Sequence, residues 1–486
     1  MSQFSEKLKI LIDSSGMTIY HLAKDSQLDR TTIQRSISGE RLPGLPFVEK
    51  LCDYLRISPI ERKGLLETYF ICKIGPKIYA DRKYIEDIIQ QIAELHIRQN
   101  CTSDVKKELI PGNDIEENIK VFSGQYNVKQ LIQDVLEDEV YNTPSPSISL
   151  TIPFSPCYFF DLLKQLYWES NGKFQIKHII AFSKNPHMEK NPSTNLEVLS
   201  NVLPFAFCMG NGYQPHYYYS ASYDASRFIH PMPFYFFTGK KLVTVSDDFK
   251  MAILYNNADV LHVYKEHFET CFSHSFQLVE LLTEPWEMIQ ISSIENMNFY
   301  NATHVIESQP CFAGYYTHAM IDKHLRLGIP EREHFREQLF VFWDHFKTLR
   351  IQSFFTIQGI QTLVDHGRVN NLPAIFATPF SIKERIYLLT SLCREIQEDL
   401  YFARILDTRT LSISQITTIQ ICSNQSILFM ATTQQGIVNC SITESSICNA
   451  FYDFFENLSE SKLLYSKEDT LQILKDFIEK LDSMEE

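Results

Sequence analysis

Between residues 16 and 39 the chain is cut into two short helical segments joined by a three-residue turn, and few folds accommodate that arrangement. Gly16 stops a segment in which Phe4, Leu8 and Leu11 recur at helical spacing. Thr18 can cap a second helix that turns Leu22 and Ala23 inward. Ser26-Gln27-Leu28 forms the turn. Asp29 then stands as an N-cap before Arg30–Ser38, and Gly39 supplies the left-handed position past the helix end. A fourth helix carries Phe47, Val48, Leu51 and Leu55. Ser58-Pro59-Ile60-Glu61 opens a fifth with a capping box and Pro in its first turn. The pattern predicts an all-α unit of five helices over residues 1–70.

The third of these helices carries the chemistry. Ile33 and Ile37, four apart, define a buried face. Thr31, Arg35 and Ser38 then lie opposite, with Arg30 and Gln34 on the flank. All five form hydrogen bonds and none is acidic. Such a face can read base edges in a major groove, Arg matching guanine and Gln adenine, each bidentate pair worth ~1–3 kcal/mol of discrimination. Charge restricts where such contact occurs. The 486 residues carry a net charge of -14, yet residues 1–70 hold ten basic and nine acidic side chains, leaving 35 and 50 for the remainder. The acidic remainder repels DNA, so contact belongs to a small surface of the first seventy residues.

Leu22-Ala23, Leu28, Thr32-Ile33, Arg35, Gly39, Pro43 and the Leu51/Leu55 helix together resemble the helix-turn-helix domain of the phage-repressor-like (Cro/C1, or XRE) family. The resemblance covers about 65 residues. It implies that Arg30, Thr31 and Arg35 reach bases, and that the backbone at Thr18 and the side chain of Arg41 hold phosphates. The chain departs from the family at Ile19, where many members carry a polar residue. The recognition surface expected from the helix face and the resemblance together comprises Thr18, Arg30, Thr31, Thr32, Gln34, Arg35, Ser38 and Arg41. A single domain of this kind reads one half-site, so a homodimer on double-stranded DNA is the expected working form. The open alternative is a domain that docks a protein partner.

Residues 71–147 read as a helical connector. Ile85, Ile88, Ile89, Ile92 and Leu95 form one stripe, which either pairs with its copy on another subunit or packs within its own domain. A second helix is expected from about Val128 to Val140, with Leu131, Ile132, Val135 and Leu136 inward. Residues 142–147, rich in Pro and Ser, then read as a linker and a domain boundary.

The large body contains a repeat. Pro153-Phe154-Ser155 recurs as Pro379-Phe380-Ser381, and at the same offset Leu162, Leu163, Leu166, Glu169 and Ile179 match Leu388, Leu389, Leu392, Glu395 and Ile405. The same pattern also arises from shared strand-turn-helix propensity. Residues 148–285 and 373–486 are read as two related α/β units around a mostly helical insert at 286–372. The whole is expected to be an α+β multidomain chain, with a five-helix N-terminal domain, a helical connector and a duplicated α/β body. Two α/β halves in this order faintly resemble the phospholipase-D-like fold. That family's H-x-K signature, followed four residues later by Asp, is missing from both copies, and no histidine occurs after His366.

Nothing in the sequence supports catalysis. It contains no G-x-x-x-x-G-K-[ST] and no G-x-S-x-G. Met209-Gly210-Asn211-Gly212 reads as a turn, Glu331-Arg332-Glu333-His334 as a solvated helix face, and His262 and His267 as too far apart on a helix to form a metal pair. No cofactor or metal is expected. Tyr217-Tyr218-Tyr219 and Phe234-Tyr235-Phe236-Phe237, near His216, His230 and Arg227, either pack a core or line a pocket for a small apolar or aromatic ligand. No run of 18 apolar residues suggests a membrane span. Eleven cysteines without a C-x-x-C fit reduced thiols in the cytoplasm, and the Cro/C1 resemblance implies a prokaryotic or phage-encoded chain. The resulting expectation is a sequence-specific transcription regulator whose C-terminal body dimerises or senses an effector.

Overall fold

The first five helices are α1 (Gln3–Ser14), α2 (Ile19–Ser26), α3 (Arg30–Ser38), α4 (Leu45–Leu55) and α5 (Pro59–Ile74). The structure, a computed structural model, describes residues 2–98, 118–154, 157–184, 193–220, 230–278, 280–282, 302–370, 372, 374, 376–433, 436–461 and 463–485. It divides into two units, Met1–Lys83 and Tyr84–Glu486. Helix α6 (Pro76–Arg98) carries the chain from one into the other.

In the first unit Phe4, Leu8, Leu22, Ile33, Val48, Leu51 and Leu65 are buried together. The Tyr69 hydroxyl closes one side of this core by donating to the Pro43 carbonyl at 3.0 Å. Ser58 and Glu61 form the capping box at the start of α5: the Ser58 amide donates to Glu61 Oε2 at 2.8 Å, and the Glu61 amide to Ser58 Oγ at 3.2 Å.

The second unit opens with β1 (Ile119–Ser123) and α7 (Gln125–Asn142). Then follow β2 (Ser147–Leu150), α8 (Cys157–Glu169), β3 (Gln175–Ser183), α9 (Thr194–Met209) and β4 (Tyr213–Ser220). A meander of β5 (Phe234–Phe237), β6 (Leu242–Val245) and β7 (Met251–Tyr255) leads to α10 (Ala258–His274) and the short β8 (Phe276–Gln277).

The remaining elements are β9 (Glu280–Leu282), β10 (His304–Ile306), α11 (His318–His324), α12 (Arg332–Phe346), β11 (Gln352–Phe355), α13 (Ile357–His366) and α14 (Ile382–Gln397). They continue with β12 (Phe402–Ile405), β13 (Thr417–Cys422), β14 (Ser426–Thr433), β15 (Gly436–Ile442), α15 (Ser445–Glu456) and α16 (Lys467–Glu485).

These strands build two mixed sheets, ordered β1-β7-β6-β5-β2-β3-β4-β8 and β12-β11-β10-β13-β14-β15-β9. In the first, β2, β3 and β4 are parallel, with Ile180 opposite Tyr217, and β5 joins β2 antiparallel. In the second, β10, β11 and β12 are parallel, with Val305 opposite Ser353, and β13 joins β10 antiparallel. Reversed, the second order is the first with β9 in place of β1, β10 in place of β2, and so on to β12 in place of β4. The Leu406–Leu464 bridge occupies the place of the β4–β8 pair. The body is therefore duplicated in its strand order.

Its register differs from the one the sequence identities suggest. Those identities pair α8 with α14 and β3 with β12, whereas strand order pairs β3 with β11 and places α14 one crossover later than α8. Pro153-Phe154 follows a sheet strand, but before Pro379-Phe380 the described residues hold only the Ala377–Leu325 bridge. The stretch 286–372 is also not simply a helical insert. It supplies β10 and β11, two central strands of the second sheet, besides α11, α12 and α13. A three-residue strand such as β10 is too short to display a period-2 pattern.

The connector does not stand apart: its residues up to Lys83 belong to the first unit, and those from Tyr84 on to the second. Ile85, Ile88, Ile89 and Ile92 are buried with Val128, Leu131, Ile132 and Val135 of α7, so this stripe packs within the chain and leaves no isoleucine face for a second copy. The side chain of Leu95 lies outside the described residues. Residues 142–147 are a connection inside the unit: the buried Glu139 carboxylate accepts from the Ser147 amide at 3.1 Å and the Gly239 amide at 3.3 Å. One core runs through both halves of the body, joining Leu150, Phe236, Phe354, Phe429 and Phe451. No helix among the described residues is long and apolar enough to cross a membrane. All ten described cysteines are free thiols.

Candidate nucleic-acid interface

The turn between α2 and α3 is set by backbone geometry. Gln27 takes a left-handed conformation (φ 54°) at the end of α2, and the Leu28 amide donates to the Ala23 carbonyl at 3.1 Å. Asp29 begins α3 by accepting from the Thr32 amide and the Thr32 hydroxyl, both at 2.6 Å. The hydroxyl bond, then the amide bond, hold the Asp29 carboxyl below its usual range, and the Arg41 charge adds to this. Gly39 ends α3 at φ 83°, where a side chain would be strained, and the amides of Glu40 and Arg41 both turn back to the Arg35 carbonyl.

At about 100° per residue, Arg30, Gln34, Ser38, Thr31 and Arg35 occupy one arc of roughly 140° on α3. All five are exposed. The opposite arc holds Ile33 and Ser36, both fully buried, and the partly buried Ile37. Ser36 was not part of the apolar reading; its hydroxyl is satisfied by the Thr32 carbonyl at 2.7 Å, which lets a small polar residue sit in the core.

The eight sequence-derived residues fall into two groups. Arg30, Thr31, Gln34, Arg35 and Ser38 share the exposed arc, and Arg41 is exposed past the helix end. The Ser38 hydroxyl already donates to the Arg35 carbonyl at 3.1 Å. Thr32 and Thr18 serve the helices themselves. Thr32 is committed to the Asp29 cap, and Thr18 Oγ1 accepts from the His21 amide at 3.3 Å to cap α2.

Residues 7–61 match the family model of the Cro/C1-type HTH DNA-binding domain. The match spans α2, the turn, α3 and α4, and the elements around them. None of the curated proteins matches the chain. Among solved structures, an archaeal chromatin protein, TrmBL2, whose structure is described as showing a novel mode of DNA binding, is 12% identical, with 57% of this chain and 95% of that chain covered at a TM-score of 0.23. Phosphatidylserine synthase of Haemophilus influenzae Rd KW20 is 10% identical, with 76% of this chain and 94% of that chain covered at a TM-score of 0.22. Both scores are too low for either neighbour to speak for this chain, so the domain match and the geometry of α3 carry the reading.

Among the described residues no group of three His, Cys, Asp or Glu side chains could hold a metal. Glu333 and His334 are exposed on α12. The 210–212 segment forms a turn in which a Cβ on Gly212 would come within 2.3 Å of the Tyr167 ring.

Proposed function

We propose that the chain is a sequence-specific DNA-binding transcription regulator that works as a homodimer, with Arg30, Thr31, Gln34 and Arg35 reading base edges and Arg41, Ser38 and the α2 N-terminus at Thr18 holding phosphates. Thr32 supports the reading helix through the Asp29 cap. The observation that carries this reading is the single exposed arc of α3, which places two guanidinium groups and an amide on one face with no carboxylate among them. Two such heads read two half-sites related by the dimer axis, which predicts an inverted repeat. The duplicated body senses an effector and alters the spacing of the heads.

The near balance of charge in residues 1–70 favours a second reading, in which the domain docks a protein. Salt separates the two. Fluorescence anisotropy of the full chain on labelled duplex DNA should show affinity falling by at least tenfold between about 50 and 200 mM salt, because bound phosphates release counterions. Affinity that is undetectable at low salt contradicts DNA binding and favours the docking reading.

A further inference from the structure

A cavity of about 590 Å³ opens where the three parallel strands of the first sheet end. Its lining brings Phe154, Ala181, Phe234 and Tyr235 of the sheet side together with His267 and Cys271 of α10. Helix α10 packs on the sheet through Leu261 and Phe268, which are buried with Ile179, Phe237 and Leu242, and Cys271 packs against the edge of that core.

Four residues apart, His267 and Cys271 share one face of the helix, and Cys271 Sγ lies 3.6 Å from His267 Nε2. With its proton on Nδ1, the imidazole accepts from the thiol. A base then stands on the S–H bond that must break before the sulfur becomes a nucleophile. Cys271 is half-buried and faces the cavity, whereas Cys72 and Cys157, the exposed thiols among the described cysteines, are not among the described lining residues. The thiol also lies within electrostatic reach of the Tyr235 hydroxyl. Burial, and then the Cys271 charge, raise the pKa of that hydroxyl, so it stays protonated and can donate.

We propose that Cys271 is a covalent acceptor for an α,β-unsaturated carbonyl compound whose apolar aromatic body is held in this cavity. The body lies against Phe154 and Phe234, and the carbonyl oxygen meets the Tyr235 hydroxyl. His267 Nε2 takes the proton from Sγ, and a sulfur lone pair forms the bond to the β-carbon. The π pair of the double bond moves towards the carbonyl oxygen as an enolate, and the imidazolium returns the proton to the α-carbon. The product is a thioether; no group leaves and no oxidant or reductant is consumed. The adduct occupies the seam between α10 and the sheet. It gives the effector a chemical class, and rests on the regulator reading for that consequence alone.

The test maps adducts by mass spectrometry of peptides from the full chain, without DNA. Two probes share the acceptor group and differ in the ring: phenyl vinyl ketone and methyl vinyl ketone. Phenyl vinyl ketone should add to Cys271 at least about tenfold faster than to Cys72 or Cys157. Ala181→Phe, which fills the cavity, should slow this probe at Cys271 about tenfold and methyl vinyl ketone less than about twofold. His267→Gln keeps a hydrogen-bond acceptor without a basic nitrogen, and should slow both probes at Cys271 about tenfold with Cys72 and Cys157 unchanged. Phenyl vinyl ketone that reacts no faster at Cys271 than at the two exposed thiols overturns the proposal. An unchanged rate in His267→Gln overturns the imidazole as the base. Slowing of neither probe, or of both alike, in Ala181→Phe overturns the cavity as the holder of the aromatic body. If Ala181→Phe does not fold, propiophenone, the saturated analogue, decides. It should protect Cys271 of the parent chain, and not Cys72 or Cys157, from methyl vinyl ketone; no protection overturns the cavity in the same way. Selective addition at Cys271 in a chain that binds no DNA would keep this site and remove the regulator reading, and DNA binding by a chain without that selectivity would do the reverse.

Discussion

The proposed reading gives the guanidinium groups of Arg35 and Arg41 different tasks. Arg35 lies on the exposed arc of α3, while Arg41 lies past Gly39 and acts electrostatically on Asp29 at the helix start. Arg35→Ala should relax preference at one base position, a change of ~1–3 kcal/mol between cognate and altered sites, whereas Arg41→Ala should weaken all sequences alike and flatten the salt dependence. Competition binding with single-base variants of a selected site distinguishes them. Glu307, at the end of β10, is a residue the sequence reading passed over. Its complete burial pushes the carboxyl up to about 8, from 4.5, against the pull of hydrogen bonds to Cys311 and Thr418. A folded pKa above the unfolded one means that the folded chain holds the extra proton. The contribution of Glu307 to stability is therefore full below pH about 4.5 and is lost as pH rises towards 8. Glu307→Gln should remove that decline, leaving the variant more stable than the parent at pH 8 by roughly 2–5 kcal/mol, as read by denaturant unfolding.

Among the elements, α1 to α5 were legible because their signals are local. Caps at Thr18, Asp29 and Ser58, stops at Gly16 and Gly39, and apolar residues three or four apart lie within one or two turns of the structure they specify. The strand order of the body was not legible in the same way. Strands β10 and β11 pair in parallel across two helices, and β1 reaches β7 across more than a hundred residues, so nothing adjacent in sequence reports either pairing. The repeated Pro-Phe precedes a helix in both places, but the two helices do not correspond in the strand order. The aromatic clusters were half legible. Tyr218, Phe234, Tyr235 and His230 reach the cavity, His216 stacks on Phe272 with ring centroids 3.8 Å apart, and Arg227 lies outside the described residues. His267 and Cys271 come from α10, four residues apart, a spacing that shares a helix face but carries no signal of a cavity. For α3 the cap is separable from the charge. Asp29→Asn keeps the cap and removes a negative charge from the helix end that the proposed reading turns towards DNA, so DNA affinity should rise or hold, while Asp29→Ala should lower both the melting temperature and the affinity.

For the molecule as a whole, a helix-turn-helix unit, Met1–Lys83, is joined to a body several times larger, whose two halves meet in one shared core while its C-terminal half holds a second core of its own. That body is far more than dimerisation requires, and its strand order repeats around a cavity-bearing first half. Deleting the body should leave DNA half-site recognition by the head and remove both dimer affinity and any response to an effector, measured as a shift from inverted-repeat to single half-site binding. The central claim, that α3 reads DNA sequence, is tested most directly by selecting binding sites from random duplex DNA with the full chain, in parallel with Arg30→Ala/Arg35→Ala. Recovery of an inverted repeat by the parent chain, lost in the double variant, is the result predicted here. Failure of the parent chain to enrich any motif at low salt, or recovery of the same motif by the double variant, would contradict it.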